Sequence, residues 1–241
     1  MIPFSAALLA LWAGSLVVLL RLDPHQLSWW GLPLAILLRS QLHTGLFIVA
    51  HDAMHGGLWP SRRRWNDALG AVALLLYAAL PYGACRRKHQ RHHSASGTAA
   101  DPDFCVDAEA RVWRWYGRFM AGYLSWPQMA ALLGSWALLF GLFRPGHPWI
   151  GLNVLLFCTL PLLLSSLQLF VFGTYLPHRP QRAPALAAEP CSLNLPVWLS
   201  LLACYHFGYH REHHDHPTLR WFELPRIRAQ RHQLTLDAAV R

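Results

Sequence analysis

The chain has 241 residues, of which 54% are hydrophobic and only 14% charged, with a mean hydropathy of +0.22, high for a soluble globular domain. This composition marks an integral membrane protein, and the formal charge of +9 falls in short loops beside apolar stretches, where it reads as membrane topology and not as nucleic-acid binding. Five cysteines, odd in number and never spaced C-x-x-C, exclude a disulfide framework and a thiolate zinc site.

In chain order, Ile2 to Leu20 is long enough for a first membrane span, with no charged n-region or small-residue cleavage site to make it a removable signal. Trp29 and Trp30 are interfacial anchors for a second span that ends near Ala50 and delivers His51 and His55 to the membrane surface. Ala68 to Cys85 is also apolar, but a crossing there would put the next histidines on the wrong side. Punctuated by Pro81 and Gly83, it is expected to dip into the interface and return. Trp126 to Phe143 and Trp149 to Leu176 form a hairpin of spans around the turn Arg144-Pro-Gly-His-Pro. Leu195 to Phe207 is too short to span and reads as a half-buried helix carrying Tyr205, His206 and His210. The expectation is an all-α integral membrane fold with four transmembrane helices, both termini inside, and interfacial helices. Residues 1–228 form a single domain and 229–241 a tail.

Three histidine boxes stand directly beside these spans: His51-Asp-Ala-Met-His55, His89-Gln-Arg-His92-His93 and His210-Arg-Glu-His213-His214. Residues three and four apart share a helix face, so each box is expected to aim its imidazoles at a common point. Together they supply eight imidazoles, more than one zinc takes, which argues for two metal ions held between helices in a histidine-rich cap. Basic residues collect beside the boxes, in Arg62 to Arg64, in Arg86, Arg87, Lys88 and Arg91, and around Arg179, Arg211 and Arg226. That excess places the cap on the cytoplasmic side. The Arg62 to Arg64 triplet serves either as an anchor on anionic lipid or as a docking patch for an acidic electron donor. The single histidines His25, His43, His147, His216 and His232 are given no ligand role. His43 faces the same side as His51 but lies deeper in the membrane, where a hydrogen-bonded or haem role is conceivable.

Four strings extend the pattern: Phe47-Ile-Val-Ala-His51-Asp-Ala-Met-His55-Gly; His89-Gln-Arg-His92-His93 with Asp101-Pro-Asp-Phe104; Phe172-Gly-Thr-Tyr-Leu-Pro-His178-Arg179; and Tyr205-His-Phe-Gly-Tyr-His210-Arg-Glu-His213-His214. In these the chain resembles the bacterial beta-carotene ketolases, of the membrane fatty acid desaturase and hydroxylase superfamily. The boxes specify the superfamily, and the strings around Asp101 and His178 point to the ketolase branch. The resemblance implies two irons, dioxygen as co-substrate, and oxidation of C4 and C4' of beta-ionone rings to ketones, from beta-carotene through echinenone to canthaxanthin. It also implies residence in the bacterial cytoplasmic membrane.

The residue types support such a centre independently, since neutral imidazole suits iron, zinc or copper and no carboxylate-dominated set is present. The candidate ligands are His51, His55, His89, His92, His93, His178, His210, His213 and His214. His178, just past the last span, closes the set, and superfamily members similarly carry a histidine upstream of the third box. His206, one helical turn before His210, is its rival. Among the acids, Asp52 is the first candidate for a catalytic role, accepting the second N–H of an imidazole from within a box; Glu212 and Asp215 are further candidates, and Asp101 and Asp103 serve either that role or the turn around Pro102. Phe170, Phe172, Tyr175, Trp198 and Tyr205 either line an apolar tunnel for the polyene or pack at the membrane belt.

Carbon 4 of the ring is allylic, so two successive hydroxylations and loss of water from the gem-diol give the ketone. No dinucleotide fingerprint or cysteine cluster supplies the electrons, which implies a ferredoxin or similar donor. A carotenoid ring hydroxylase or a fatty-acyl desaturase would use much the same boxes. A membrane zinc hydrolase would need a general-base glutamate in an H-E-x-x-H string, which the sequence lacks.

Overall fold

The computed structural model describes residues 2–105, 111–179 and 190–239, and its regular structure is helical, with no strand among the described residues. Ten helices carry the fold: α1 (Ile2–Arg21), α2 (Gly31–Met54), α3 (Arg63–Ala78), α4 (Tyr82–Ala95), α5 (Val112–Ala121), α6 (Trp126–Phe143), α7 (Ile150–His178), α8 (Val197–Cys204), α9 (His210–Asp215) and α10 (Leu224–Ala239). Among them α1, α2, α6 and α7 are long and apolar enough to cross a membrane. The four expected spans are present, with two changes of boundary. The second helix continues past Ala50 to Met54 because nothing in His51-Asp-Ala-Met breaks it, so His51 is still inside the helix and His55 caps it. The last runs on from Leu176 through His178.

The central helix is α2, packed against α1, α3 and α7, and the polar side chains of its middle turns are matched to specific carbonyls. Pro161 has no N–H, so the carbonyl of Phe157 four residues earlier loses its helical partner, and the local winding relaxes to a π-type turn over Leu155–Thr159. Arg39, 2% exposed, donates Nε to that carbonyl at 3.2 Å, and Nη1 to Ser15 Oγ at 3.0 Å and to the Trp12 carbonyl. A buried cation is thereby satisfied without an acid. His43 accepts from Trp12 Nε1 at 3.1 Å, which is the hydrogen-bonded alternative of the two conceivable for it. Thr44 Oγ1 reaches Ser165 Oγ at 2.8 Å and Gln168 Oε1 at 2.6 Å, tying α2 to α7.

Helices α3 and α4 form a pair bent by 100° at Ala79 to Pro81, where Ala79 is left-handed (φ 54°). Asp67, near the start of α3, accepts from Tyr82 Oη at 3.1 Å and from Arg86 Nη1 at 3.3 Å, both on α4. The return leg brings His89 Nε2 to 2.7 Å from His55 Nε2, next to the loop from which the pair set out. The pair therefore enters and leaves at one face. It closes tightly against α2, since a Cβ added at Gly70 would lie 2.5 Å from the Tyr82 ring and 2.6 Å from Ala53 Cβ. Gly70→Ala is expected to cost about 1–3 kcal/mol by forcing α3 off α2, read as a lowered Tm of the detergent-solubilised chain.

The third-box region differs from the continuous half-buried helix expected over Leu195 to Phe207. Helix α8 stops at Cys204, and Tyr205 (φ 47°) and His206 (φ 62°) are consecutive left-handed residues that redirect the chain before α9 begins at His210. Such a reversal in non-glycine residues is held by its surroundings. Tyr205 Oη donates to the Gln41 carbonyl at 3.0 Å, and its ring packs edge-on against Trp221. Helix α10 runs across residue 228 without a break, and residues 240–241 of the expected tail lie outside the described residues.

Candidate metal centre

The end of α2, the middle of α4, the end of α7 and the whole of α9 converge at one place, and their imidazoles form two groups. His51, His55, His89, His93 and His213 form the first; His92, His178, His210 and His214 form the second; within each group one nitrogen from every residue lies within 4.8 Å of the others. All nine histidines singled out in the sequence are brought together. The expectation that each box aims at one point holds only for the first. On an α-helix, adjacent residues point about 100° apart, so in H-x-x-H-H the first and last histidines share a face while the middle one turns away. His89 and His93 thus join the first group and His92 the second, whereas His210 and His214 join the second and His213 the first. Boxes two and three exchange one imidazole each. The groups touch where the His93 and His214 rings stack at 4.1 Å.

The nitrogens of the groups fit bound metal ions. Within the first, Nε2 atoms approach at 2.9 Å (His93 and His213) and 3.1 Å (His93 and His89); within the second, at 2.8 Å (His178 and His210) and 3.1 Å (His214 with His92 and with His210). Metal–imidazole bonds of about 2.0–2.1 Å at right angles to one another place ligand nitrogens about 3 Å apart. His51 Nε2, buried and directed into this place, has no hydrogen-bond partner. The donor set is all nitrogen, which suits a transition metal and not calcium or magnesium.

Burial, reinforced by the surrounding imidazoles, holds His210, His213 and His214 well below the usual histidine range, so they are neutral and able to donate lone pairs. His55 is lowered to about 4, by burial first and then by the Arg63 and Arg86 charges. An imidazole neutral in the folded chain and protonated in the unfolded one takes up a proton on unfolding between about pH 4 and its ordinary 6.5. The metal-free chain is therefore expected to lose stability as pH falls from about 6.5 towards 4; a Tm that stays flat across that window would contradict the burial of these rings.

One carboxylate is hydrogen-bonded to a ring of the centre, and a second lies close to another. Asp101 Oδ1 lies 2.9 Å from His92 Nδ1 and also accepts from the Asp103 N–H, while Oδ2 accepts from the Gly97 N–H, so this residue shapes the turn and fixes the imidazole together. Asp52 Oδ1 stands 3.5 Å from His51 Nδ1, and its Oδ2 accepts from the Trp221 N–H at 3.3 Å. No sequence signal connects Trp221 to Asp52, which lies on a different helix far away in the chain.

The remaining acids face cations. Glu212, 1% exposed, is paired with Arg228 and Arg231 of α10, each at 3.5 Å, and not with an imidazole. Asp215 pairs with Arg231, and Asp103 with Lys88 Nζ at 3.2 Å. His206 belongs to neither group. Because the chain reverses at residues 205 and 206, it is not one helical turn before His210, and it stacks instead on Tyr209 and Trp221. Of the Arg62 to Arg64 triplet, Arg63 is engaged by Asp67 at 3.1 Å and Arg62 lies over the Trp59 ring.

Phe207, which the sequence did not single out, floors the centre. Its ring stands perpendicular to His51 at 4.7 Å and lies 5.9 Å from His210, occupying the space that Gly173 leaves by having no Cβ. An apolar chamber of about 210 Å³ lies between α2, α3, α5, α6 and α7. Phe47, one helical turn before His51, forms part of its wall with Tyr77, Tyr123, Leu132, Trp136 and Leu169. None of the five aromatics expected to line a tunnel does so. Phe170 packs with Trp115 in a separate small core, Tyr175 packs against both, Trp198 is exposed, and Tyr205 is turned onto Trp221. The wall is drawn instead from the ends of α3 and α5, the first half of α6 and the middle of α7.

The sequence matches the fatty acid desaturase family over residues 27–148 and 123–239. It is 42% identical over 194 residues to a beta-carotene ketolase of Paracoccus sp. (strain PC1), covering 78% of this chain and 75% of the relative. To a beta-carotene ketolase of Paracoccus sp. (strain N81106 / MBIC 01143) it is 43% identical, covering 78% and 76%. A beta-carotene 4-ketolase of Protosiphon botryoides is 40% identical over 82% of this chain and 51% of the relative. An all-α membrane protein with two histidine groups at the ends of its spans, this chain belongs to the fatty acid desaturase family, in the branch formed by the beta-carotene ketolases.

Proposed function

We propose that this protein oxidises the C4 methylene of a beta-ionone ring of beta-carotene to a ketone, and that the two histidine groups are the ligand sets of two irons. The observation that carries this reading is the partition of nine imidazoles into two nitrogen-lined groups, together with an apolar chamber among the spans whose wall includes Phe47, one helical turn before His51. When bound, such a centre supplies the oxidising power of dioxygen for insertion into a carbon–hydrogen bond. Per ring, two dioxygen molecules, four electrons and four protons enter; one ketone and three waters leave.

The chain's own groups do the rest. His51, His55, His89, His93 and His213 on one side, and His92, His178, His210 and His214 on the other, hold the metals; Asp101 and Asp52 fix the rings of His92 and His51 through their Nδ1 atoms. The chamber admits the ring from hydrocarbon and excludes water, and Phe47, one helical turn before His51, sets where it stops. Electrons come from a ferredoxin or similar donor approaching the basic face. The excess of Lys and Arg beside the boxes supports a cytoplasmic site in a bacterial inner membrane. One domain over residues 1–228 accounts for spans and cap together.

The test is pigment analysis of beta-carotene-producing bacterial cells expressing the chain. Each modified ring is expected to lose two hydrogens and gain one oxygen. Gain of oxygen with no loss of hydrogen would establish a hydroxylase instead, and unchanged pigment alongside altered fatty acids would establish an acyl desaturase.

A further inference from the structure

We infer, resting on the reading of the two histidine groups as metal sites, that α9 couples the two sites through a docked and an undocked position, and that Glu212 is the positioning residue that keeps it docked. The argument starts from the size of α9. Its six residues are too few for a helix to stand alone, and it follows directly on the left-handed reversal at Tyr205 and His206, so its place is set by what it packs against. One side of it sends His213 to the first group and His210 and His214 to the second. Undocking would take one imidazole of five from the first and two of four from the second, so metal at either group favours the docked position and, through it, metal at the other.

The other side of α9 holds it without metal. Glu212 stands among three ligands in the sequence yet belongs to neither group, and it is 1% exposed. Its Oε1 lies 3.5 Å from Arg228 Nη1 and 3.5 Å from Arg231 Nη1, both on α10, and its Oε2 accepts from Ser192 Oγ. Ser192 Oγ in turn accepts from the Arg211 N–H at 3.1 Å, Asp215 pairs with Arg231, and Arg228 lies over the Tyr209 ring at 5.0 Å. A buried carboxylate is costly to leave unpaired, and these partners meet Glu212 only while α9 is docked. With this clasp intact, α9 is in place before any metal arrives, and the two sites fill independently. With the clasp weakened, the first metal has to draw α9 in and the second finds it there, so uptake becomes cooperative.

The experiment titrates the full chain, purified metal-free in detergent, with cobalt(II) and counts bound ions by equilibrium dialysis and metal analysis. The wild-type chain is expected to take up two ions with a Hill coefficient of about 1. If Glu212→Gln leaves about one chain in ten docked, half-saturating cobalt rises roughly threefold and the Hill coefficient moves towards about 1.5, as for two like sites gated by one equilibrium. Arg228→Met breaks the same clasp from α10 and is expected to act likewise, so the test stands even where Glu212→Gln fails to insert. Arg228→Lys is expected to stay near wild type, and the Glu212→Gln/Arg228→Met double variant to be no worse than the worse single one, since both remove one contact. Asp101→Asn is the contrast, because it acts on His92 alone: it is expected to weaken one site and to leave the Hill coefficient at or below about 1. Glu212→Gln and Arg228→Met chains that fill both sites as tightly and as independently as wild type would overturn the inference. So would weakening confined to one site, or fewer ions per chain with no rise in the Hill coefficient, which is what a merely structural defect gives. Failure of the metal reading is distinct from these: the wild-type chain itself would take up no cobalt.

Discussion

Replacing His92 with alanine is expected to abolish ketone formation while leaving the four spans inserted. His92 is the one residue of its box turned into the second histidine group, where its Nε2 meets His214 and its Nδ1 meets Asp101. Removing it leaves that group with three imidazoles, so metal per chain is expected to fall from two towards one. Asp101→Asn is the graded partner of this test. The amide can still occupy the turn but cannot anchor the ring as a carboxylate does, and loss of such a partner costs about 10–100-fold in metal affinity or activity. Metal analysis of the membrane fraction decides the matter: full occupancy in His92→Ala would remove box two's middle histidine from the centre.

Gly173→Ala tests the floor of the centre from the membrane side. The new Cβ would lie 2.4 and 2.5 Å from two carbons of the Phe207 ring, closer than any real contact. Both partners are buried, Phe207 against His51 and Gly173 within a π-type stretch of α7, so neither moves freely. Overpacking of this kind costs about 1–3 kcal/mol, and displacement of Phe207 pushes directly on His51. Activity is expected to fall by at least about tenfold, since small misplacements near reacting groups carry such penalties. Adding Phe207→Leu to Gly173→Ala is expected to recover stability. A single Gly173→Ala variant with unchanged Tm and activity would show that the ring is not held there.

The spans and the histidines were legible because both are short-range patterns. A run such as Ile2–Arg21 announces its length and apolarity locally, and H-x-x-H-H announces a helix face. The division of the boxes was implicit in the same arithmetic, but which face meets which metal group depends on how α4 and α9 are rotated against one another, a tertiary matter. Glu212 illustrates a different limit. A carboxylate inside a histidine box looks like a partner for imidazole, yet it lies on the face of α9 that meets Arg228 and Arg231. Box three also seemed to continue the preceding helix, because Tyr205 and His206 carry no glycine or proline to mark the left-handed reversal. The chamber escaped notice since its wall is assembled from residues of five helices that only tertiary packing brings together.

The exchange of imidazoles between boxes two and three constrains how the protein is made. The first group needs His213 and the second needs His210 and His214, so neither is complete until α9 has left the ribosome. The six imidazoles of the two groups that precede α9 wait for their remaining partners while the spans insert and pack, so metal capture follows the docking of α9. A nascent chain stalled before α9 is a membrane-inserted scaffold without a centre.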